Sequence, residues 1–242
     1  MSIDSSLLIV GDLTVEVVRK AIKNLHLGVY PPDGRVRIAA PLHLGDEAVR
    51  LAVITRLGWI RRRQQAFARQ ERQSQREMVT GESHYFAGRR YRLDVIEQSG
   101  RSGVRLSNAT TLELNVPPGA DREACEHILE RWYRRRLRQQ IAPLLEKWQP
   151  ITGVIVNEVR IKKMKTLWGS CNIKAGRIWL NLELIKKPPM CLEYILVHEM
   201  VHLLERCHNE RFHTSMDRFL PTWPLLREEL NRAPLAHADW RY

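Results

Sequence analysis

Residues 195–204, ILVHEMVHLL, constrain the fold most, because they set two histidines and a glutamate inside an otherwise apolar run. Read as a helix, the stretch is apolar almost all round and must be enclosed by other elements. A buried polar group without a partner costs about 1–3 kcal/mol, so His198, Glu199 and His202 must serve one another or a ligand. Residues four apart on a helix lie roughly 40° apart around its axis, which puts His198 and His202 on one face with Glu199 beside them. Two neutral imidazoles on successive turns can fill two corners of a zinc tetrahedron, while the carboxylate reaches a water at an open corner.

Hydrogen-bonded core histidines beside an ion-paired glutamate fit those five residues as well. The third imidazole, His208, favours the metal reading. On a continuous helix it would fall about 120° away from the ligand face, so the helix is expected to end near Glu205. The polar ERCHNERFH that follows suits such an ending. Glu205 stands where the longer H-E-x-x-H-x-x-G-x-x-H pattern has its glycine. The chain is therefore expected to reach His208 by a route that needs no positive φ. His198, His202 and His208 are the candidate ligands, zinc (Zn2+) the candidate ion and Glu199 the candidate catalytic base.

The rest of the chain must build the enclosure. At 242 residues with 44% hydrophobic content it can bury a sizeable core. Its opening MSIDSSLLIVGD suits neither a secretory signal nor a membrane span, and no later run reaches the roughly 18 apolar residues a span needs, so a cytoplasmic location is expected. Cys125, Cys171, Cys191 and Cys207 form no CxxC pair, which argues against a disulfide framework and a thiolate zinc site. With 39 Lys+Arg against 27 Asp+Glu the net charge is +12. The basic residues bunch in RRRQQAFARQERQSQR and RWYRRRLRQQ, as a solvated helix face or a nucleic-acid contact would.

Patterning predicts an α+β chain. HLGVYPPDGRVRIAAP reads as a hairpin about a PPDG turn within a β meander over 14–40, and a helix is expected over 45–74, with Ile54 and Leu57 on its apolar face. SHYFAGRRYRLDVIEQ, GVRLS and TLELNVPP read as strands. A long helix is expected over 121–148, with Pro143 kinking or restarting it. GVIVNEVRI, KTLWGSC and RIWLNLELI follow as strands of a small, mainly antiparallel sheet. Pro188–Pro189 opens the metal helix, and short helices broken by Pro221 and Pro224 end the chain. The expected division is a β-rich subdomain over 1–118 and a catalytic domain over 119–242.

WGSC, LNLELIKKPP, HEMVH, His208 and Phe212 together resemble the YgjP-like zinc metallopeptidases, predicted metal-dependent hydrolases related to the SprT and WLM peptidases. The likeness reaches back to PDGRVRIAAP and FAGRRYRL. It implies a minigluzincin-type core, a zinc site of His198, His202 and His208, Glu199 as base and a polypeptide substrate. Two positions depart from the family's pattern: Leu167 replaces an arginine and His213 a tryptophan. His213 is assigned a structural role, as is Cys207, a small packing residue.

Trp168, Ser170 and Asn181 are candidates for binding substrate. The strand over 178–182 offers an edge to an extended peptide, unless it is an internal strand. His26, His43, His84, His127 and His237 have no partner at ligand spacing and are expected at the surface. Two rival readings stand beside the peptidase. One is a zinc hydrolase of nucleoside triphosphates such as UTP, as described for relatives, although no phosphate loop is present. The other is a nucleic-acid-binding module, through Arg61–Arg63 and Arg134–Arg136, with a structural zinc.

Overall fold

The computed structural model describes residues 5–30, 34–69, 76–164 and 167–232, which form an α+β chain. Contacts divide it into an N-terminal unit over residues 1–72 and a larger unit over 73–237.

The first unit is built on β1 (Ser5–Val10), β2 (Leu13–Lys20), β3 (His26–Tyr30) and β4 (Arg35–Pro41), in the order β1-β2-β4-β3. The hairpin of β3 and β4 is present, but β2 runs parallel to β4, so the region is no simple meander. The PPDG turn falls largely outside the described residues. Alternation in β2 and β4 sends Val15, Val17, Val36 and Ile38 to one face, where they meet Val49, Val53 and Ile60. The single helix expected over 45–74 is two, α1 (Asp46–Ile54) and α2 (Leu57–Arg69), and the expected end lies outside the described residues. Thr55 stops α1, its hydroxyl donating to the carbonyl of Ala52 at 3.2 Å.

The larger unit begins with β5 (Ser83–Phe86), β6 (Arg89–Glu97), β7 (Gly103–Leu106) and β8 (Thr111–Val116), in the order β5-β6-β8-β7. Its spine is α3 (Arg122–Thr152), capped at its start by the Asp121 carboxylate, which accepts from Ala124 N at 2.8 Å. Gly153, with φ +70°, ends it in the left-handed conformation that favours glycine. Pro143 does not restart the helix. It lies on the exposed side, where the carbonyl that loses its partner is left to water, while Ile141 and Trp148 are buried on either side.

A second sheet, of β9 (Glu158–Lys162), β10 (Gly169–Asn172) and β11 (Arg177–Asn181), has the order β10-β11-β9. It is mixed, β10 antiparallel and β9 parallel to β11, where an antiparallel majority was expected. β11 is the central strand, so of the two readings of 178–182 the internal strand holds, and β10 is an edge instead. A 3-10 turn (Leu182–Lys186) leads into α4 (Pro189–Val201), whose first turn holds Pro189. α5 (Glu210–Phe219) and α6 (Trp223–Arg232) close the unit, with Pro224 in the first turn of α6.

One core joins these elements: Leu93, Leu112 and Leu114 of the first sheet, Leu137 of α3, Ile178 and Leu180 of β11, and Leu196, Val197 and Met200 of α4. This shared core corrects the expected division after residue 118, because β7 and β8 pack on α3 and their core is continuous with that around α4. Among the described residues no helix is long and apolar enough to cross a membrane. Leu137 is fully buried in the middle of α3. Leu137→Ala is expected to destabilise the larger unit by about 2–5 kcal/mol, measured by denaturant unfolding.

Candidate metal centre

α4 carries Glu199, only 5% exposed, and His198 in its last turn, and His202 is its C-cap. The helix ends at this point, three residues before Glu205. The amide of Leu203 donates to Met200, and the amides of Leu204 and Glu205 both donate to Val201, so the chain turns away in tight steps. None of these residues has positive φ. The side chain of Asn209 then caps α5, accepting from Phe212 N at 3.1 Å, and His208 returns to the face of α4.

One ring nitrogen from each of His198, His202 and His208 lies within 4.8 Å of the other two, and Nε2 of His208 is 3.1 Å from Nε2 of His198. Tetrahedral zinc at its usual 2.0–2.1 Å from each nitrogen would separate them by about 3.3 Å. Phe212, 2% exposed, forms the floor, with its ring centroid 4.9, 4.7 and 4.6 Å from those of His198, His202 and His208. Nδ1 of His202 is 3.1 Å from the Glu205 carbonyl, which can only accept, so Nδ1 donates there and Nε2 is the nitrogen left to bind a metal.

Electrostatics suits a cation. Burial first, then the charges of His202, His208, Arg227 and His213, pushes His198 down to about 3. His208 is lowered too, by burial and by His202, His213 and Arg227. Neutral rings are the form that binds metal. Burial alone raises the Glu199 carboxyl to about 8, a cost that a neighbouring cation would relieve.

Sequence reasoning missed the wall beside this centre. Tyr194, one turn before His198, meets it edge-on at 5.9 Å and stacks on Trp223 at 6.5 Å. Trp223 in turn stacks on the exposed His213 at 5.7 Å, and its indole donates to Asp217 at 2.7 Å. Arg227 follows Trp223 by one turn of α6. The i,i+4 spacing could have drawn attention to Tyr194, whereas Trp223 and Arg227 come from a distant helix that only the fold brings near.

The expected substrate residues divide. Trp168 is half-buried beneath the Lys187 ammonium, 5.4 Å from its ring, and Ser170 lies half-buried on the edge strand β10. Asn181 is 4% exposed and its amide is committed to the chain itself, donating to the carbonyls of Met164 and Leu167 at 2.8 Å each. Cys207 is exposed and packs into no core, contrary to expectation. His84 is buried, not at the surface, because strand alternation turns it inward, where Nε2 lies 3.0 Å from the Glu82 carboxylate. His26, His43 and His127 are exposed, and His237 falls outside the described residues. The Arg134–Arg136 run is not a uniform solvated face: Arg134 donates to the Ile161 carbonyl at 3.0 Å, and Arg136 lies over Trp132 at 5.5 Å.

Residues 23–233 match the family of the YgjP-like metallopeptidase domain. The chain belongs to this family. YgjP-like membership brings metallopeptidase-type hydrolysis, a metal ion and a polypeptide substrate class. Among solved structures, one described as the metallopeptidase zymogen abylysin of Pyrococcus abyssi shares 25% identity over 36% of this chain and 89% of that one, with a TM-score of 0.34. No curated protein matches the chain significantly.

The two shifts predict a pH signature for the chelator-treated protein. Glu199 keeps its proton in the folded state up to about 8 but loses it above 4.5 when unfolded, so its contribution to stability is lost as pH rises through that window. His198 is neutral when folded down to about 3 but protonates below 6.5 when unfolded, so its contribution is lost as pH falls. The two oppose each other between 4.5 and 6.5, and between 6.5 and 8 only that of Glu199 remains. Tm is therefore expected to fall from pH 6.5 to 8 and to flatten in Glu199→Gln. An identical slope in the variant would contradict this account.

Proposed function

We propose that the chain is a zinc-dependent peptidase in which His198, His202 and His208 hold the ion and Glu199 is the general base. The observation that carries this reading is the convergence of three imidazoles, one nitrogen of each within 4.8 Å of the others, with a buried carboxylate on the adjoining position of the same helix. Three nitrogen donors leave one corner of a tetrahedron open, which suits catalysis better than a closed structural site. When bound, zinc supplies Lewis acidity, polarising a carbonyl and making water acidic enough to deprotonate near neutral pH.

The chain's own groups do the rest. Glu199, removed from bulk solvent, accepts the proton of the attacking water and returns it to the leaving amine. The Glu205 carbonyl fixes the tautomer of His202. The open edge of β10 offers backbone groups to an extended polypeptide, the role the sequence suggested for 178–182. Four free cysteines suit a reducing compartment such as the cytoplasm.

Purified protein is expected to bind about one zinc per chain and to cleave an unfolded polypeptide such as reduced casein. Chelation should stop the cleavage and zinc restore it. Glu199→Gln should lower the rate by about 10²–10⁴-fold with zinc content unchanged. Full activity in that variant, or phosphate release from nucleoside triphosphates with no peptide cleavage, would overturn the proposal.

A further inference from the structure

Gly169 opens β10 and pairs with Leu180 of the central strand. Its backbone has no positive φ, so conformational freedom does not explain a glycine at this position. Space does. A Cβ placed on Gly169 would lie 2.5 Å from Oε1, 2.7 Å from Cγ and 2.9 Å from Cδ of Glu199. Non-bonded heavy atoms settle at about 3.5–4.0 Å. The outer half of the Glu199 side chain therefore occupies the volume that any other residue at 169 would fill with its first carbon. No backbone atom is among these nearest neighbours, so what an added methyl displaces is the carboxylate.

The strand is the stiffer partner. The Trp168 carbonyl accepts from Asn181 N at 2.9 Å. The Asn181 side chain donates to Met164 and Leu167 and accepts from Glu183 N at 3.1 Å and Met164 N at 3.3 Å. One buried amide thus ties the chain ahead of β10 to the end of β11. The Lys187 ammonium, 5.4 Å from the Trp168 ring, holds that side chain from the other side. Opposite Gly169, Leu180 is fully buried in the core. Glu199 has several rotatable bonds, and among the described residues no hydrogen bond anchors its carboxylate.

We infer that Gly169 is a positioning residue for Glu199: the missing side chain on the edge strand is the slot that fixes where the carboxylate stands relative to His198, His202 and His208. This rests on the reading of Glu199 as the general base. It also gives Asn181 and Trp168 a different role from the substrate contacts expected of them, that of holding the wall of the slot in place.

The test is a double-mutant cycle on the full-length, zinc-loaded protein, made of Gly169→Ala and Glu199→Ala singly and together. Gly169→Ala is expected to lower Tm when Glu199 is present and to leave it nearly unchanged when residue 199 is alanine, because the obstruction is then gone. With reduced casein as substrate, Gly169→Ala should lower kcat by about 10–100-fold, as a displacement near 1 Å does. KM and zinc content should stay within about twofold of wild type. Equal losses of Tm in both backgrounds, or wild-type kcat in a folded Gly169→Ala protein, would overturn the inference. If Gly169→Ala alone fails to fold, recovery of the fold in the double variant supports it and continued failure overturns it. Absence of cleavage by the wild-type protein would refute the peptidase reading, while the Tm cycle still decides the contact.

Discussion

Everything in the larger unit depends on enclosing α4. A helix with Leu192, Ile195, Leu196, Val197, Met200 and Val201 all buried must be covered on every side. The protein covers it with α3, the sheet of β10 and β11, and the two C-terminal helices. Burial on that scale leaves nowhere for a polar side chain to go except toward another polar side chain. His198 and His202 accordingly converge with His208, and Glu199 is buried at the adjoining position of the helix. Hydrophobic enclosure and the convergence of donors are two sides of one constraint.

The same enclosure sets the electrostatics. Desolvation acts in opposite senses on a base that charges positively and an acid that charges negatively, and both end up neutral. Arg227 and His213 reinforce the effect on the imidazoles. A pocket of neutral lone pairs beside a reluctant carboxylate is poorly satisfied by protons alone, because the proton that would suit one ring is opposed by its neighbours. Phe212 keeps this arrangement stiff by filling the space beneath all three rings.

Much of this was legible in the chain itself. Helical periodicity alone puts His198 and His202 on one face, and a polar segment after an apolar one marks where α4 stops. The strands β5–β8 stand out through β-branched and aromatic runs between turn residues. What stayed hidden was non-local. Strand order is not written in any one strand, so Ile178 and Leu180 fit an edge or an internal strand equally until the fold sets them in the middle of the sheet. The unit boundary was misplaced because only the core shows that Leu112 and Leu114 pack with Leu137. β1 was overlooked because its alternation is short and its face partly exposed. His84, without a partner at ligand spacing, reads as a surface residue, but the SHYF alternation places it on the inward face. Gly169 and Glu199 are thirty positions apart, and nothing in sequence spacing links them.

The three imidazoles do not come from one element. Two ride on α4, at the centre of the core, and the third sits on the turn just before α5. An ion held by all three is therefore a clasp between the interior of the molecule and its C-terminal end. The grip on α5 and α6 then scales with how much free ion surrounds the protein, since a ligand that binds only the folded arrangement stabilises it by mass action. Scarcity of the ion would slacken the tail of the fold as well as idle the pocket.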